Sequence, residues 1–476
     1  MMHNKTVGQR IALLVMGLAL LFMPRVAGAV DDPFPLYPVL EKNVHFWEKV
    51  FSEYSLSQAV LHDRDDLGII YVVVEVLPPS SPYAPTTNHQ RLEPVKEQYR
   101  QLLLRLALGE GPSSPEEQRV MDLFGPAPSS ERLLAAADNI RVQIGQKERF
   151  KEGLVRSGAW LPEIRKTFEA EGLPGDLAYL AHVESSFNPR AQSKVGAVGL
   201  WQFMRATGRR FLNIDAARDE RLNPLKASRA AARFLRENYK VLGSWPVAIT
   251  AYNHGQGGMH KATTAFGDLP GILANYQGKS FGFASRNFYA EFLAVRNLAS
   301  NYQKYFGPVE VSAAEPIREV VVPQRVNLCR LADSMKLDPA VLMDCNPDLR
   351  QPVRSGRVLI PSGHVLSLPE RPAVISKAVA PGPEKSANVQ PAPTDMYQVK
   401  HGDTLSGIAR KFATSIAQLV ELNDLERPAA LRIGQSLRVP AGKEVAAAAD
   451  KRSAPAEARP AAAVLAPAAV PVARPL

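Results

Sequence analysis

The sequence predicts a multidomain protein with a mixed α/β N-terminal extension, a mainly α central domain and small βααβ units toward the C-terminus. A Val/Ile-rich run from Leu67 to Val76, set among helix-like segments, marks the first part. Apolar positions at helical spacing from Gly145 to about Phe306 mark the second, and a spaced set of residues that occurs twice marks the third. At 476 residues and 46% hydrophobic composition the chain can bury two or three separate cores.

The chain opens on Lys5 and Arg10, an apolar run from Ile11 to Met23 and the small-residue sequence Ala27-Gly28-Ala29. This is the layout of a secretory signal over residues 1–29, with an apolar run shorter than a membrane span needs. The expectation is export to the periplasm or cell envelope, with membrane association if the signal is retained. No cysteine directly follows the run, which removes a lipidated cysteine at the cleavage site as anchor. The formal charge is +10 and stays positive without residues 1–29, which suits anionic wall polymers or membrane surfaces without identifying either. The Lys and Arg residues are dispersed and do not alternate with aromatics, so no nucleic-acid partner is expected.

Residues 30–144 form the N-terminal extension. Val and Ile fit a pleated, half-buried surface, so Leu67–Val76 reads as a strand that the Pro/Ser-rich stretch from Pro78 to Pro85 ends. No chemistry is legible there, and the reading is a structural extension. Residues 145–307 form the central domain. Leu177, Leu180 and Ala181 share a face of a helix that Pro174 and Asp176 start, and Ala227–Tyr239 and Asn287–Leu298 are further amphipathic helices.

Leu405, Ile408, Ala409, Phe412 and Asn423 repeat the spacing of Leu328, Leu331, Ala332, Met335 and Asn346. Two copies of one small unit are therefore expected, at 316–362 and 396–441, with exits at Ile360-Pro361 and Val439-Pro440. Pro/Ala-rich composition makes 363–395 a linker and 442–476 a disordered tail, because recurring proline interrupts both helix and sheet. The only two cysteines, Cys329 and Cys345, fall one in each short helix of the first copy, and export would let a disulfide staple them. No HExxH or other metal spacing occurs, and neither metal nor cofactor is expected.

The chemistry lies in His182-Val183-Glu184-Ser185-Ser186-Phe187-Asn188-Pro189, continuing through Ser193, Gly196, Gly199, Leu200, Trp201, Gln202 and Met204. Asn188-Pro189 should break the helix that carries Glu184 and leave its carboxyl group at a helix end. Set against Phe187, Trp201 and Phe203, such a carboxyl would be desolvated and stay protonated near neutral pH. His182, two residues earlier, should point elsewhere on the helix, and His254 reads as an exposed loop histidine.

This segment resembles the Slt-type lytic transglycosylases, relatives of the goose-type lysozymes. Ala251-Tyr252-Asn253-His254-Gly255 looks like the family's second motif, and Arg286-Asn287-Phe288-Tyr289 stands where the third places an aromatic residue. The resemblance implies a lysozyme-like catalytic domain and a single catalytic glutamate, Glu184. That residue would protonate the oxygen between N-acetylmuramic acid and N-acetylglucosamine, then take the muramoyl 6-hydroxyl proton, giving a 1,6-anhydro end. It also implies substrate contacts for Ser193, Gln202, Met204, Tyr252, Asn253 and Tyr289. Arg205 departs from the proline usual after Met204.

The run Tyr397-Gln398-Val399-Lys400-His401-Gly402-Asp403-Thr404-Leu405-Ser406, with Leu422-Asn423 and Ile433-Gly434-Gln435, looks like a LysM module. The resemblance implies binding of N-acetylglucosamine-containing glycans around Gly402, Asp403 and Thr404. The first copy is degenerate, with Arg325-Val326-Asn327 at those places. The whole therefore points to a peptidoglycan-cleaving lytic transglycosylase whose partner is the glycan strand. The alternatives are a hydrolytic muramidase using the same acid and a non-catalytic wall-binding scaffold.

Overall fold

A computed structural model describes residues 32–370 together with 394–400, 402–412, 414, 419, 420, 422, 423, 431 and 433–440. The expected signal, most of the expected linker and the tail lie outside the described residues. Among the described residues no helix is long and apolar enough to cross a membrane.

The N-terminal extension is built on a three-stranded antiparallel sheet. Strand β1 (Gln58–Asp63) lies between β2 (Ile70–Glu75) and β3 (Ile140–Ile144). Side chains alternate across a strand, and this sheet has work for both faces. Ala59 and Leu61 join Ile140 in a core shared with Leu102, Leu103 and Leu106 of helix α2 (Ala84–Ala107) and Leu133 and Ala136 of α4 (Ser130–Asp138). Between α2 and α4 lies α3 (Pro115–Asp122), opened by Ser114, whose hydroxyl accepts from the Glu117 amide. Val60 turns the other way, into the core of the central domain, and the His62 ring lies tilted against Phe46 with centroids 4.6 Å apart.

Helix α1 (Glu41–Ser52) places Phe46, Trp47, Val50 and Phe51 in that same central core. It runs along the long helix α13 (Phe283–Ser300), tied by Asn43 Nδ2 to Asn287 Oδ1 at 2.8 Å and by Asn297 Nδ2 to Glu48 Oε1 at 2.6 Å. The extension and the central domain thus share one apolar interior. Full burial of each large apolar side chain in it contributes roughly 1.5–3 kcal/mol.

The central helices follow as α5 (Lys147–Ser157), α6 (Leu161–Ala170), α7 (Leu180–Ser185), α8 (Arg205–Gly208), α9 (Pro224–Leu242), α10 (Trp245–His254), α11 (Gln256–Phe266), α12 (Leu269–Asn275), α13 and α14 (Tyr302–Phe306). Arg205, in place of the expected proline, opens α8. Helix α9 has clear local signals at both ends. Asn223 caps it by accepting from the Leu225 and Lys226 amides, Pro224 fills the first turn, and Gly243 ends it at φ +70°.

Both expected repeats are present. In the first, β4 (Ile317–Val321) pairs antiparallel with β5 (Val365–Pro369) around α15 (Leu328–Ser334), α16 (Pro339–Cys345) and the short α17 (Gln351–Arg354). In the second, β6 (Thr394–Gln398) pairs with β7 (Ser436–Pro440), with α18 (Leu405–Lys411) between them. Asn346 Nδ2 donates to Leu342 O and Ser367 O, and its Oδ1 accepts from the Ser367 amide. Asn423 makes the same three bonds to Leu419 O, Arg438 O and the Arg438 amide.

That correspondence corrects two expectations. The partner of Val439-Pro440 is Leu368-Pro369, not Ile360-Pro361, so the unit closes at β5 and the linker cannot begin at 363. Ile360 instead belongs to an insertion that bridges back to Val326, its amide 2.8 Å from the Val326 carbonyl. The expected disulfide is also absent. Cys329, exposed in the first turn of α15, and Cys345, half-buried at the end of α16, are free thiols.

The first repeat is docked on the central domain. Arg350 N donates to Ala217 O at 2.9 Å and Asp219 N to Asp348 O at 2.8 Å, and Ala217 enters the repeat's own core. Beside this seam Lys226 Nζ lies 2.7 Å from Asp348 Oδ2, 3.6 Å from Glu220 Oε1 and 3.5 Å from His364 Nε2, all buried. Glu220, Asp348 and His364 are close enough together to ligate a metal, but the cation among them is the Lys226 ammonium. Burial and that ammonium push the His364 imidazole down to about 4, so it stays neutral.

Candidate active site

Helix α7, only six residues long, ends on two consecutive left-handed residues, Ser186 at φ +49° and Phe187 at φ +55°. Non-glycine residues pay of order 1–3 kcal/mol for such backbone and hold it only where the surroundings fix it. Here they do. Arg156 on α5 donates from Nε and Nη2 to the Ser186 carbonyl at 3.1 and 2.8 Å, and the Ser185 hydroxyl donates to Leu200 O at 2.8 Å. The break therefore comes two residues before the Asn188-Pro189 pair that was expected to make it. Gly199, at φ +83°, lets the returning loop pass so close to Arg221 that a Cβ would stand 1.9 Å from its carbonyl oxygen.

This geometry delivers Glu184, only 4% exposed, to a pocket lined also by Val183, Asn253, Phe283, Ala284, Phe288 and Glu291 from the central domain. Asn253 is held by the Ser285 hydroxyl, which donates to its Oδ1 at 2.8 Å. Tyr252 donates its hydroxyl to the Trp201 carbonyl at 2.8 Å, tying α10 to the loop after Glu184, and its ring lies parallel to Phe288. Ser193 and Gln202 spend polar atoms on that loop's backbone. Ser193 Oγ accepts from the Ala197 amide at 2.9 Å, and Gln202 Nε2 donates to Gly199 O at 2.8 Å from a residue at φ +46°. Met204 is 43% exposed at the start of α8.

Tyr289 does not belong with them. It is 1% exposed, and its hydroxyl donates to Pro35 O at 3.0 Å, which anchors the N-terminal segment on α13. Burial holds its phenol well above the ordinary range. The aromatic of this stretch that lines the pocket is Phe288, one residue earlier. His182 points away from the pocket, as expected, into a cage of Phe150, Phe187 and Tyr179, where burial pushes it down to about 3. His254 is half-buried at the end of α10 against Phe281 and Tyr276 rather than exposed on a loop.

The opposite wall was not foreseen. Trp47 and Phe51 of α1, Arg141 and Gln143 of β3, and Gln146 line the same pocket as Glu184. The strand's alternation explains it: Ile140, Val142 and Ile144 face the extension's core, which leaves Arg141 and Gln143 on the side of Phe283. The legible signal was that alternation, Ile-Arg-Val-Gln-Ile, with two long polar side chains on one face.

In the second repeat Asp403 closes the loop by accepting from the Tyr397 hydroxyl and the Lys400 amide, both at 2.8 Å. Thr404 caps α18 by accepting from the Gly407 amide at 3.1 Å, and Gly402 takes φ +87°. These side chains shape the loop, so a ligand there would meet backbone. Asn327 supplies the corresponding cap in the first repeat.

Residues 164–273 match the family described as Transglycosylase SLT domain, and 397–440 match LysM domain. Membrane-bound lytic murein transglycosylase D of Escherichia coli strain K12 is 26% identical over 382 residues, 73% of this chain and 81% of that protein. Peptidoglycan transglycosylase gp16 of Escherichia phage T7 is 40% identical over 98 residues, 20% of this chain and 7% of that protein. The solved 70 kDa soluble lytic transglycosylase Slt70 of Escherichia coli superposes with a TM-score of 0.26 at 17% identity, over 57% of this chain and 44% of that one.

Proposed function

From a chain that carries a transglycosylase SLT domain and a LysM domain, we propose a lytic transglycosylase of peptidoglycan that acts through Glu184. The observation that carries the reading is one carboxyl group, 4% exposed, at the end of a strained helix in a pocket that Val183, Phe283 and Phe288 also line. As an acid it protonates the oxygen of the β-1,4 bond between N-acetylmuramic acid and N-acetylglucosamine. As the resulting carboxylate it accepts the proton of the muramoyl 6-hydroxyl while that oxygen closes on C1, so the 1,6-anhydro product forms without water. Asn253 orients the sugar, a role supported by its bond from Ser285 and its place in the lining of the Glu184 pocket. The envelope is where this substrate lies, and the signal-like residues 1–29 support export there.

A second carboxylate in the same pocket, Glu291, favours the hydrolytic alternative, in which one acid and one base act as a pair around a water. Mass spectrometry of digested glycan strands separates the two. Anhydromuramoyl ends are expected from the wild type and equally from Glu291→Gln; reducing muramoyl ends that vanish in Glu291→Gln would establish the hydrolase instead.

The second repeat serves as the wall-binding module, with Gly402, Asp403 and Thr404 shaping its glycan loop. The first repeat serves as a brace, its corresponding loop already bridged through Val326 to Ile360. A protein ended after residue 370 should cleave soluble strands at the wild-type rate yet sediment several-fold less with whole sacculi. Unchanged sedimentation would remove the module's role.

A further inference from the structure

Across Phe283 from the Glu184 pocket lies a second pocket, and the Phe283 ring lines both. Asn43, Arg64, Asp65, Gln277, Arg286 and Asn287 make it polar, in contrast to the first. Three guanidiniums gather around this divide. Arg141 stacks over the Phe283 ring with its carbon 4.0 Å from the centroid, Arg286 lies over Phe281 at 5.6 Å, and Arg64 reaches the second pocket from the end of β1. Like charges brought together in partly buried surroundings repel, and here burial and the Arg64 charge lower the pKa of both Arg141 and Arg286, against the opposing pull of Glu291 on the first and Asp65 on the second.

Among the described residues neither Arg64 nor Arg141 makes a side-chain hydrogen bond or an ion pair, and the Arg141 Nε is buried without an acceptor. The acids that line the two pockets are Asp65, Glu184 and Glu291. When Glu184 holds the proton that it must donate, the three arginines exceed the remaining acids by one charge. An arrangement of this kind is complete when a ligand brings one carboxylate to it.

We infer that Arg64, Arg141 and Arg286 form a receptor for a carboxylate carried by the muramoyl side of the substrate. The inference rests on the peptidoglycan reading. The sugar rings of a glycan strand are uncharged, so the carboxylate must come from the peptide carried on the lactyl ether or, where no peptide is attached, from the lactyl group itself. The N-terminal extension would then select substrate, reading acidic substituents next to the bond that Glu184 cleaves.

The test uses the full chain, with Arg64→Gln and Arg141→Gln, on three preparations of soluble strands: native, amidase-stripped, and native strands whose carboxylates have been converted to amides with carbodiimide and ammonia. On native strands each variant should lose about tenfold in kcat/KM, mainly through KM. On amidated strands the wild type should fall to the variants' level. Because the lactyl carboxyl is amide-bonded to the peptide in native strands and is freed only by stripping, loss confined to native strands assigns the peptide carboxylates alone, and loss that persists on stripped strands shows that the freed lactyl carboxylate is bound as well. Variants that lose equally on amidated and native strands overturn the receptor. Arg64 is exposed, so its variant keeps the test sound if Arg141→Gln misfolds. A wild type that releases no muramoyl ends from native strands would fail the enzyme reading itself, a different outcome from these.

Discussion

Glu184→Gln is expected to lower glycan cleavage by about 10²- to 10⁴-fold while leaving the thermal melt unchanged. The amide matches the carboxyl group in size, so the packing of Val183, Phe283 and Phe288 around it need not change. What the amide lacks is a proton to give and, afterwards, a lone pair basic enough to take one. Both halves of the proposed reaction depend on that single group, so the loss should fall on kcat more than on KM. The measurement is release of muramoyl ends from soluble strands by wild type and variant at equal concentration. A variant that retains a tenth or more of the wild-type rate would leave the acid unassigned and return attention to Glu291.

Lys226→Met should cost about 3–5 kcal/mol of stability, the usual consequence of removing one partner from a buried charge group. Asp348 is fully buried and Glu220 and His364 nearly or fully so, and the ammonium is the cation they share. The damage should be local in origin: the repeat at 317–369 would separate from the central domain where Asp219 and Arg350 cross the seam. Denaturant unfolding and limited proteolysis within 310–370 would follow it. Adding Asp348→Leu to Lys226→Met should restore part of the loss, since the stranded charge is removed. A cost below about 1 kcal/mol for Lys226→Met would mean that the group behaves as an exposed ion pair.

Much of the site's near side was legible because it is local. The Glu184 helix, its break and the Tyr252-Asn253 pair fall within short motifs whose residues act on neighbours in sequence, and the structure brings Glu184 and Asn253 to one pocket. Tyr289 was misread because its place in a motif says nothing about Pro35, 254 residues away, which claims its hydroxyl. The far wall could not be placed from the sequence for the same reason. Arg141 and Gln143 occupy the polar side of a short alternating strand, which in isolation is the solvent side, and only the packing of β1 and α1 on the central core turns it inward. The repeat was found by spacing, and its closing strand was missed because an insertion carrying Ile360-Pro361 imitates the exit of the other copy.

The shared interior of extension and central domain limits how this activity can be moved between proteins. The segment that matches the SLT family, 164–273, contains Glu184 but neither α1, nor β3, nor α13. Excised as a cassette, it would carry the acid with only Val183 and Asn253 of its pocket and expose the apolar surface that Trp47, Phe51 and Phe288 cover. The smallest transplantable piece is therefore set by packing rather than by family boundaries. It runs at least from Asp32, which pairs with Arg296, to the end of α13.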